Sequence, residues 1–224
     1  MDKQTILEYG VKLIIIFMIL PIHEYAHAWA AHKMGDDTAY YKGRLTLNPL
    51  SHIDPLGALL LFFTGFGWAK PVPVNPLRFK KQRKGMAITA AAGPLSNLIV
   101  AFIAMIIYRF IISSDFYFNS LLSSHTKDTN WFFILYMIEI FILINIGLAL
   151  FNLIPVPPLD GSKILQYFTT YKFDAMISKY RTYIYIGLIV LMYTGILRVP
   201  LMFLREKVYN VMIYLTNWIP VLMR

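Results

Sequence analysis

Long hydrophobic runs alternate with short polar stretches along this chain. Runs at 6–32, 86–112 and 131–154 are each long enough to form a helix that crosses a bilayer, which takes about 20 residues. A fourth run at 183–197 is short for a crossing, and 199–224 mixes apolar and charged residues. The pattern predicts a mostly α-helical membrane protein with about four to six hydrophobic helices.

The stretch between the first two long runs has a different character. Residues 57–68, GALLLFFTGFGW, are apolar but too short to span a bilayer, which favours a re-entrant or interfacial segment. The next residues, AKPVPVNPLRFKKQRK at 69–84, contain repeated prolines that exclude a continuous helix. We therefore expect irregular backbone on both sides of residue 68.

Composition and charge support this picture. Of the 224 residues, 58% are hydrophobic and 15% are charged, against about 25% charged in a typical soluble domain. The formal net charge is +9. No basic and aromatic nucleic-acid-binding module is visible, so the basic residues are better explained as cytoplasmic loop residues. The positive-inside rule places 69–85 and 159–182 in the cytoplasm and 113–130 outside, so the first run enters from outside.

The first run ends in a cluster of ionisable residues. Residues 23–27 read HEYAH, an H-E-x-x-H pattern that places His23 and His27 one turn apart on a helix, where they can bind one metal ion. Glu24 lies beside them and can take a proton from a water activated by that metal. The alternative is two histidines packed against neighbouring helices, but burying three unpaired polar groups in lipid is costly.

A catalytic zinc needs a third protein ligand, and the chain has no cysteine to supply it. Asp160, in FNLIPVPPLDG, follows the third long run, and the prolines before it can turn the chain back toward the first helix. Alternatively, Asp160 caps a new helix that starts near Ser162. A carboxylate at such a place needs a cation or strong hydrogen bonds, which favours the ligand interpretation.

HEYAH together with NLIPVPPLDG resembles the site-2 protease family of intramembrane zinc metalloproteases. The stretches NPLSHIDPLG, GWAKPVPVNP and AAGPLSNL are also similar to segments of its short prokaryotic members, so the resemblance spans roughly 15–170. No PDZ insertion or CBS domain is evident. The resemblance implies one domain over 1–224, with a core at about 6–170 and C-terminal helices at 171–224.

The resemblance also assigns roles. It implies one Zn²⁺ per chain held by His23, His27 and Asp160, with Glu24 as the catalytic glutamate. Asn152 matches an asparagine thought to help position the reacting carbonyl or its oxyanion. An interhelical hydrogen bond is an equally good explanation of Asn152.

The resemblance further implies a re-entrant loop or β-hairpin near the active site. Residues 57–76 would form it and would bind an unwound substrate by strand addition. The expected function is hydrolysis of a peptide bond in or beside a transmembrane segment of a membrane protein, near the cytoplasmic side. The expected partners are that transmembrane substrate and the lipid bilayer, and no nucleic acid is expected. The expected location is a prokaryotic cell membrane, which the chain crosses several times.

Two alternative functions remain open. A catalytically silent relative that binds membrane partners would not need Glu24, and a metal transporter would show polar residues along a whole pathway. Other polar residues carry weaker hypotheses. Asn97 serves helix packing or catalysis, His52 and Asp54 serve loop structure or gating, and we expect His32 to be interfacial and His125 to be solvated.

Overall fold

The computed structural model describes residues 3–64, 67–114 and 129–219. Its first helix, α1 (Lys3–Ile14), continues through a π-helical turn (Ile15–Ile19) into α2 (Leu20–Lys33). The helices that follow are α3 (Thr38–Tyr41), α4 (Pro55–Thr64), α5 (Gln82–Ser113), α6 (Thr129–Asn152), α7 (Asp160–Phe168), α8 (Tyr171–Lys179), α9 (Arg181–Tyr193) and α10 (Arg198–Leu215).

Three helical stretches in the described part of the chain are long and apolar enough to cross a membrane. They are Tyr9–Lys33, Gln82–Ser113 and Phe133–Asn152. The fourth and last hydrophobic runs of the sequence form α9 and α10, which are bent by 76° at a short break and together make at most one further span. Gly195 lies in that break with φ of +74°, a conformation that glycine adopts without steric cost. The prediction of a mostly α-helical membrane protein is confirmed.

α5 lies at the centre of the fold and packs against α2, α6 and α7. The buried core joins Ala101, Ala104 and Met105 of α5 to residues of α6 and α10, namely Ile142, Ile146 and Met212. Small residues at such an interface let helix backbones approach closely, which is how helices associate where lipid removes the hydrophobic driving force. The packing holds α2 and α7, which carry the candidate ligands, on the same central helix.

The segment at 57–76 differs in part from the prediction. α4 occupies 55–64 as a helix. The described residues 67–75, here called the extended stretch, form no β-strand and lead into a 3-10 helix at Pro76–Arg78; in the described part of the chain, one bridge pairs Ile53 with Ala69. Asp54 caps α4 by accepting a hydrogen bond from the Gly57 N–H at 2.8 Å, and Pro55 suits the first helical turn. A β-hairpin is therefore not formed in the described part. Helix-forming leucines favour α4, and prolines at 71, 73 and 76 lack the N–H groups that a strand ladder needs.

α4 runs alongside α1 and is tied to it near its end. The ammonium group of Lys12 donates to the carbonyl oxygen of Phe62 at 2.8 Å, and the ring of Tyr9 stacks on that of Phe62 at 4.8 Å. A cation at the carbonyl end of a helix also interacts favourably with its dipole. After the extended stretch, α5 begins at Gln82, so the last residues of the proline-rich stretch are already helical.

Candidate active site

His23 and His27 lie side by side on α2, in the half that follows the π-helical turn. Their side chains are buried, with 5% and 8% of each residue exposed, and their Nε2 atoms are 3.0 Å apart. The Nδ1 atom of His27 is 2.7 Å from the carbonyl oxygen of Thr89 on α5. With its proton on Nδ1, His27 donates to that carbonyl and keeps a free lone pair on Nε2. A metal-binding histidine usually has this arrangement, in which one ring nitrogen donates to the protein and the other is free to bind the metal.

Asp160 reaches the same place from the start of α7, which also packs against α5. Its Oδ2 atom is 3.3 Å from His23 Nε2 and 3.2 Å from His27 Nε2. α7 begins at Asp160, but its N-cap residue is Leu159 and no side chain caps the helix, so the alternative that Asp160 is the cap is wrong; the carboxylate meets the histidines instead. Gly161 permits this approach, because a Cβ there would lie 2.3 Å from the Leu153 carbonyl oxygen at the end of α6.

The three side chains fit a metal ion. Ligand atoms bound at 2.0–2.1 Å in a tetrahedral zinc site are about 3.3 Å apart. The three atoms here are separated by 3.0, 3.3 and 3.2 Å. Two histidines and one carboxylate are also the donor set of several hydrolytic zinc enzymes, and three ligands leave a fourth position open. The geometry therefore agrees with the zinc site predicted from sequence.

Gly93 forms the wall behind the histidines. A Cβ at this position would lie 2.4 Å from His27 Nε2 and 2.6 Å from His23 Cε1, which is too close for the rings to keep their places. Gly93 and the Thr89 carbonyl are functional features that the sequence interpretation missed. The glycine followed by Pro94 inside a long apolar run was the available signal, since both residues are unfavourable in a helix unless packing requires them.

Glu24 points toward the extended stretch that precedes α5. Its Oε2 atom accepts a hydrogen bond from the backbone N–H of Val72 at 2.9 Å. The glutamate, the three candidate ligands and Asn152 all line one cavity of about 760 Å³. Asn152 donates from Nδ2 to the Leu148 carbonyl oxygen of its own helix at 3.0 Å. The residues expected at the site are thus gathered in one place, and the catalytic role of Asn152 stays a prediction.

The remaining polar residues of interest lie elsewhere. Asn97 is fully buried on α5, and neither of its amide atoms has a hydrogen-bond partner among the described residues. His32 Nδ1 is 2.5 Å from a carboxylate oxygen of Asp37 at the end of α2. Asp54 serves as the cap of α4, His52 belongs to a buried network close to the extended stretch, and His125 lies outside the described residues.

A helical membrane fold with buried histidines, a convergent aspartate and an adjacent glutamate defines a metal-dependent hydrolase. Residues 11–194 match the model of peptidase family M50, and the chain belongs to this family. This confirms the resemblance found in the sequence, and the chain is a zinc metalloprotease.

Relatives named as zinc metalloproteases are similar to this chain over most of its length. YwhC of Bacillus subtilis is 44% identical over 69% of this chain and 67% of its own length. MJ0611 of Methanocaldococcus jannaschii is 30% identical over 73% of both chains. Rip2 of Mycolicibacterium smegmatis is 27% identical over 70% of this chain and 58% of its own. No solved structure matches the chain significantly.

Proposed function

We propose that this protease cleaves a peptide bond within or beside a transmembrane segment of a membrane protein. The position of the site carries the proposal. His23 and His27 lie on a helix that is apolar and long enough to span, about 15 and 9 Å along the axis from its end at Lys33. A soluble substrate would have to enter the membrane to reach such a site, whereas a transmembrane segment is already there.

The proposed chemistry divides between the metal ligands and Glu24. His23, His27 and Asp160 would hold a zinc ion, and its positive charge would acidify a water molecule and polarise the scissile carbonyl. Glu24 accepts a proton from the attacking water, whose oxygen bonds to the carbonyl carbon. Glu24 then gives the proton to the amide nitrogen as the C–N bond breaks, which leaves a carboxylic acid and an amine. Asn152 lines the same cavity and is available to donate a hydrogen bond to the carbonyl oxygen.

Residues 67–75 offer a surface on which an unwound substrate could bind next to Glu24. A carbonyl in a helix is already hydrogen-bonded and covered, so the substrate must be extended when it is cut. The extended stretch passes Glu24, and most of its residues line the active-site cavity, namely Gly67, Trp68, Ala69, Pro71, Val72 and Val74. An unwound substrate segment can lie alongside this backbone in the manner of strand addition.

The cytoplasmic orientation of the site rests on charge. Residues 78–84, which lead into the first turn of α5, carry five basic residues, and basic residues also follow α7. These two polar regions flank the same end of the helices as the site, and basic loops favour the cytoplasmic side. We therefore place the cleavage near the cytoplasmic leaflet.

The test is a comparison of membrane proteomes that carry wild type, Glu24→Gln or the matched control Glu206→Gln, whose glutamate is exposed on α10. Fragments with new termini inside or next to a transmembrane segment should appear with wild type and the control and be absent with Glu24→Gln. New termini confined to soluble domains, or fragments equally abundant with Glu24→Gln, would refute the proposal.

A further inference from the structure

Three buried polar residues lie close to the extended stretch and take no part in the proposed chemistry. Asp36, Arg44 and His52 are 0%, 7% and 1% exposed, and all three belong to the connection between α2 and α4. A charged side chain is costly to bury unless every polar atom near it is well paired. The hydrogen-bond partners of these three residues therefore show which part of the chain the connection holds in place.

Arg44 binds the start of the extended stretch. Its Nη2 atom donates to the Lys70 carbonyl oxygen at 2.6 Å, and its Nη1 atom donates to the Pro71 carbonyl oxygen at 3.3 Å. A guanidinium can hold two neighbouring carbonyls because its donors form a rigid planar fork. The Lys70 N–H in turn donates to the His52 carbonyl oxygen at 2.9 Å.

His52 supports Arg44 from behind. Its Nε2 atom is 2.7 Å from the Thr46 carbonyl oxygen and so carries the proton, which leaves Nδ1 to accept from Arg44 Nη2 at 3.4 Å. Burial lowers the pKa of His52, and the charge of Arg44 lowers it further. The neutral imidazole is the form that can accept this bond.

Asp36 binds the other end of the extended stretch. Its Oδ2 atom accepts the Asn75 N–H at 2.6 Å, while Oδ1 accepts the Thr38 N–H at 3.0 Å and the Thr38 hydroxyl at 2.5 Å. Residues 70–75 are thus held at both ends by side chains that precede α4.

Between these two anchors, the backbone offers few donors. Residues 71 and 73 are prolines without an N–H, so Val72 has the single N–H between Lys70 and Val74, and it donates to Glu24. A shift of the stretch by one residue would place a proline at Glu24 and leave the carboxylate without this partner. The register of residues 70–75 therefore decides whether Glu24 is held.

We propose that Arg44 is a positioning residue for Glu24, acting through the register of residues 70–75. The Val72 N–H holds Oε2 of the glutamate and leaves Oε1 to receive the proton of the attacking water. This inference rests on the proposed role of Glu24 as the base. Arg44 itself touches neither substrate nor metal, and His52 and Asp36 stabilise the arrangement that it sets.

The test measures kcat, KM and zinc content for reconstituted wild type, Arg44→Ala, Arg44→Lys and the control Arg78→Ala. Arg78 is an exposed arginine in the connection that leads into α5. Arg44→Ala should lower kcat at saturating substrate about 10- to 100-fold, the effect of a misplaced catalytic group, with zinc retained. Arg44→Lys should recover part of the loss, because an ammonium can bind one of the two carbonyls. Arg78→Ala should behave as wild type.

Val72→Pro is the second arm, since it removes the N–H donor without touching Arg44. It should lower kcat by a similar factor, and the double variant Arg44→Ala with Val72→Pro should lose no more than either single variant. Additive losses, an unchanged kcat in Arg44→Ala, or zinc loss from either single variant would overturn the inference. If Glu24→Gln also cleaves the substrate, the proposed function itself fails. If Glu24→Gln is inactive and Arg44→Ala has wild-type kcat, the positioning role alone fails.

Discussion

At the scale of single residues, Gly93 shapes the metal site although it is not a ligand. Its missing side chain makes room for two imidazole rings against α5. Gly93→Ala should push both rings away and lower zinc affinity at least about tenfold, the lower end of the effect of changes around a metal site. Gly10→Ala is the matched control, because a Cβ there meets only Met137 Cε at 3.9 Å. Zinc titration of the two purified variants measures the effect, and wild-type affinity in Gly93→Ala would show that the rings tolerate a methyl group at this position.

The ligand and base roles separate cleanly by substitution. Asp160→Ala removes one of three ligands and should lose most of the bound zinc. Glu24→Gln keeps an oxygen that can accept the Val72 N–H, so it should stay folded with about one zinc, but it cannot accept a proton and should lose activity by a factor of about 10² to 10⁴. Metal analysis and cleavage assays on the same samples check both. Full zinc in Asp160→Ala would show that the ligand assignment is wrong.

At the scale of elements, α4 is a short helix that borders the active-site cavity through Leu60 and Thr64. Phe63→Pro would break its last turn, at a cost of about 3 kcal/mol to the helix, because proline lacks the N–H and clashes with the carbonyl four residues earlier. Phe63 is 69% exposed, so Phe63→Ala is a control that removes the ring and keeps the helix. The proline variant should cleave a membrane substrate more slowly with zinc unchanged.

Parallel measurements of zinc content and cleavage decide between two roles of α4. Equal cleavage by Phe63→Pro and wild type would mean that α4 only fills space. Loss of zinc from the proline variant would instead make α4 part of the scaffold of the metal site.

The connection between α2 and α4 should make folding stability depend on pH. The pKa of His52 is lowered from its ordinary value of 6.5, chiefly by burial. The unfolded chain therefore takes up a proton near pH 6.5 while folded His52 takes it up only at lower pH, so stability falls as pH drops below about 6.5. Thermal unfolding at pH 7.5 and pH 5.5 should show a larger decrease in Tm for wild type than for His52→Asn. An equal decrease in the two proteins would exclude this contribution of His52.

At the scale of the whole molecule, the surface is that of a protein in lipid. α5 exposes Ile99, Ile103 and Ile107 at a spacing of four residues, which gives one apolar stripe along the helix. Such a stripe would be a liability in water and is the expected surface in a bilayer. Together with the three long apolar helices, this stripe indicates that the helices lie in the bilayer. The distribution of basic residues then predicts which ends of the helices face the cytoplasm.

The orientation can be measured directly because the chain has no cysteine. A cysteine at Lys80, before α5, should be shielded from a membrane-impermeant maleimide in intact cells and should react after permeabilisation. A cysteine at Ser124, in the loop expected outside and beyond the described residues, should react in intact cells. The opposite labelling of the two variants would invert the topology and would place the site on the outer side.

The sequence by itself determined the membrane class, the helical character and the candidate chemistry. Apolar runs of spanning length admit few structures other than helices, and H-E-x-x-H brings its residues together through local helix geometry alone. Asp160 was a candidate from the prolines before it and the cost of an unpaired carboxylate, and the resemblance then assigned it as the third ligand; its distance along the chain alone says nothing about its place in space. Of the re-entrant loop or β-hairpin expected near the site, the β-hairpin does not form in the described residues, because local capping by Asp54 and the leucines of α4 favour a helix.

Tertiary structure alone decided which unremarkable residues complete the site. The carbonyl of Thr89, the bare backbone of Gly93 and the N–H of Val72 act through atoms that every residue, or a glycine, can offer. The side chain of Arg44 finds its partners 26 and 27 residues further along the chain, beyond α4. Such contacts depend on how α2, α5 and the extended stretch pack together in three dimensions, and no local pattern of residue types encodes that packing.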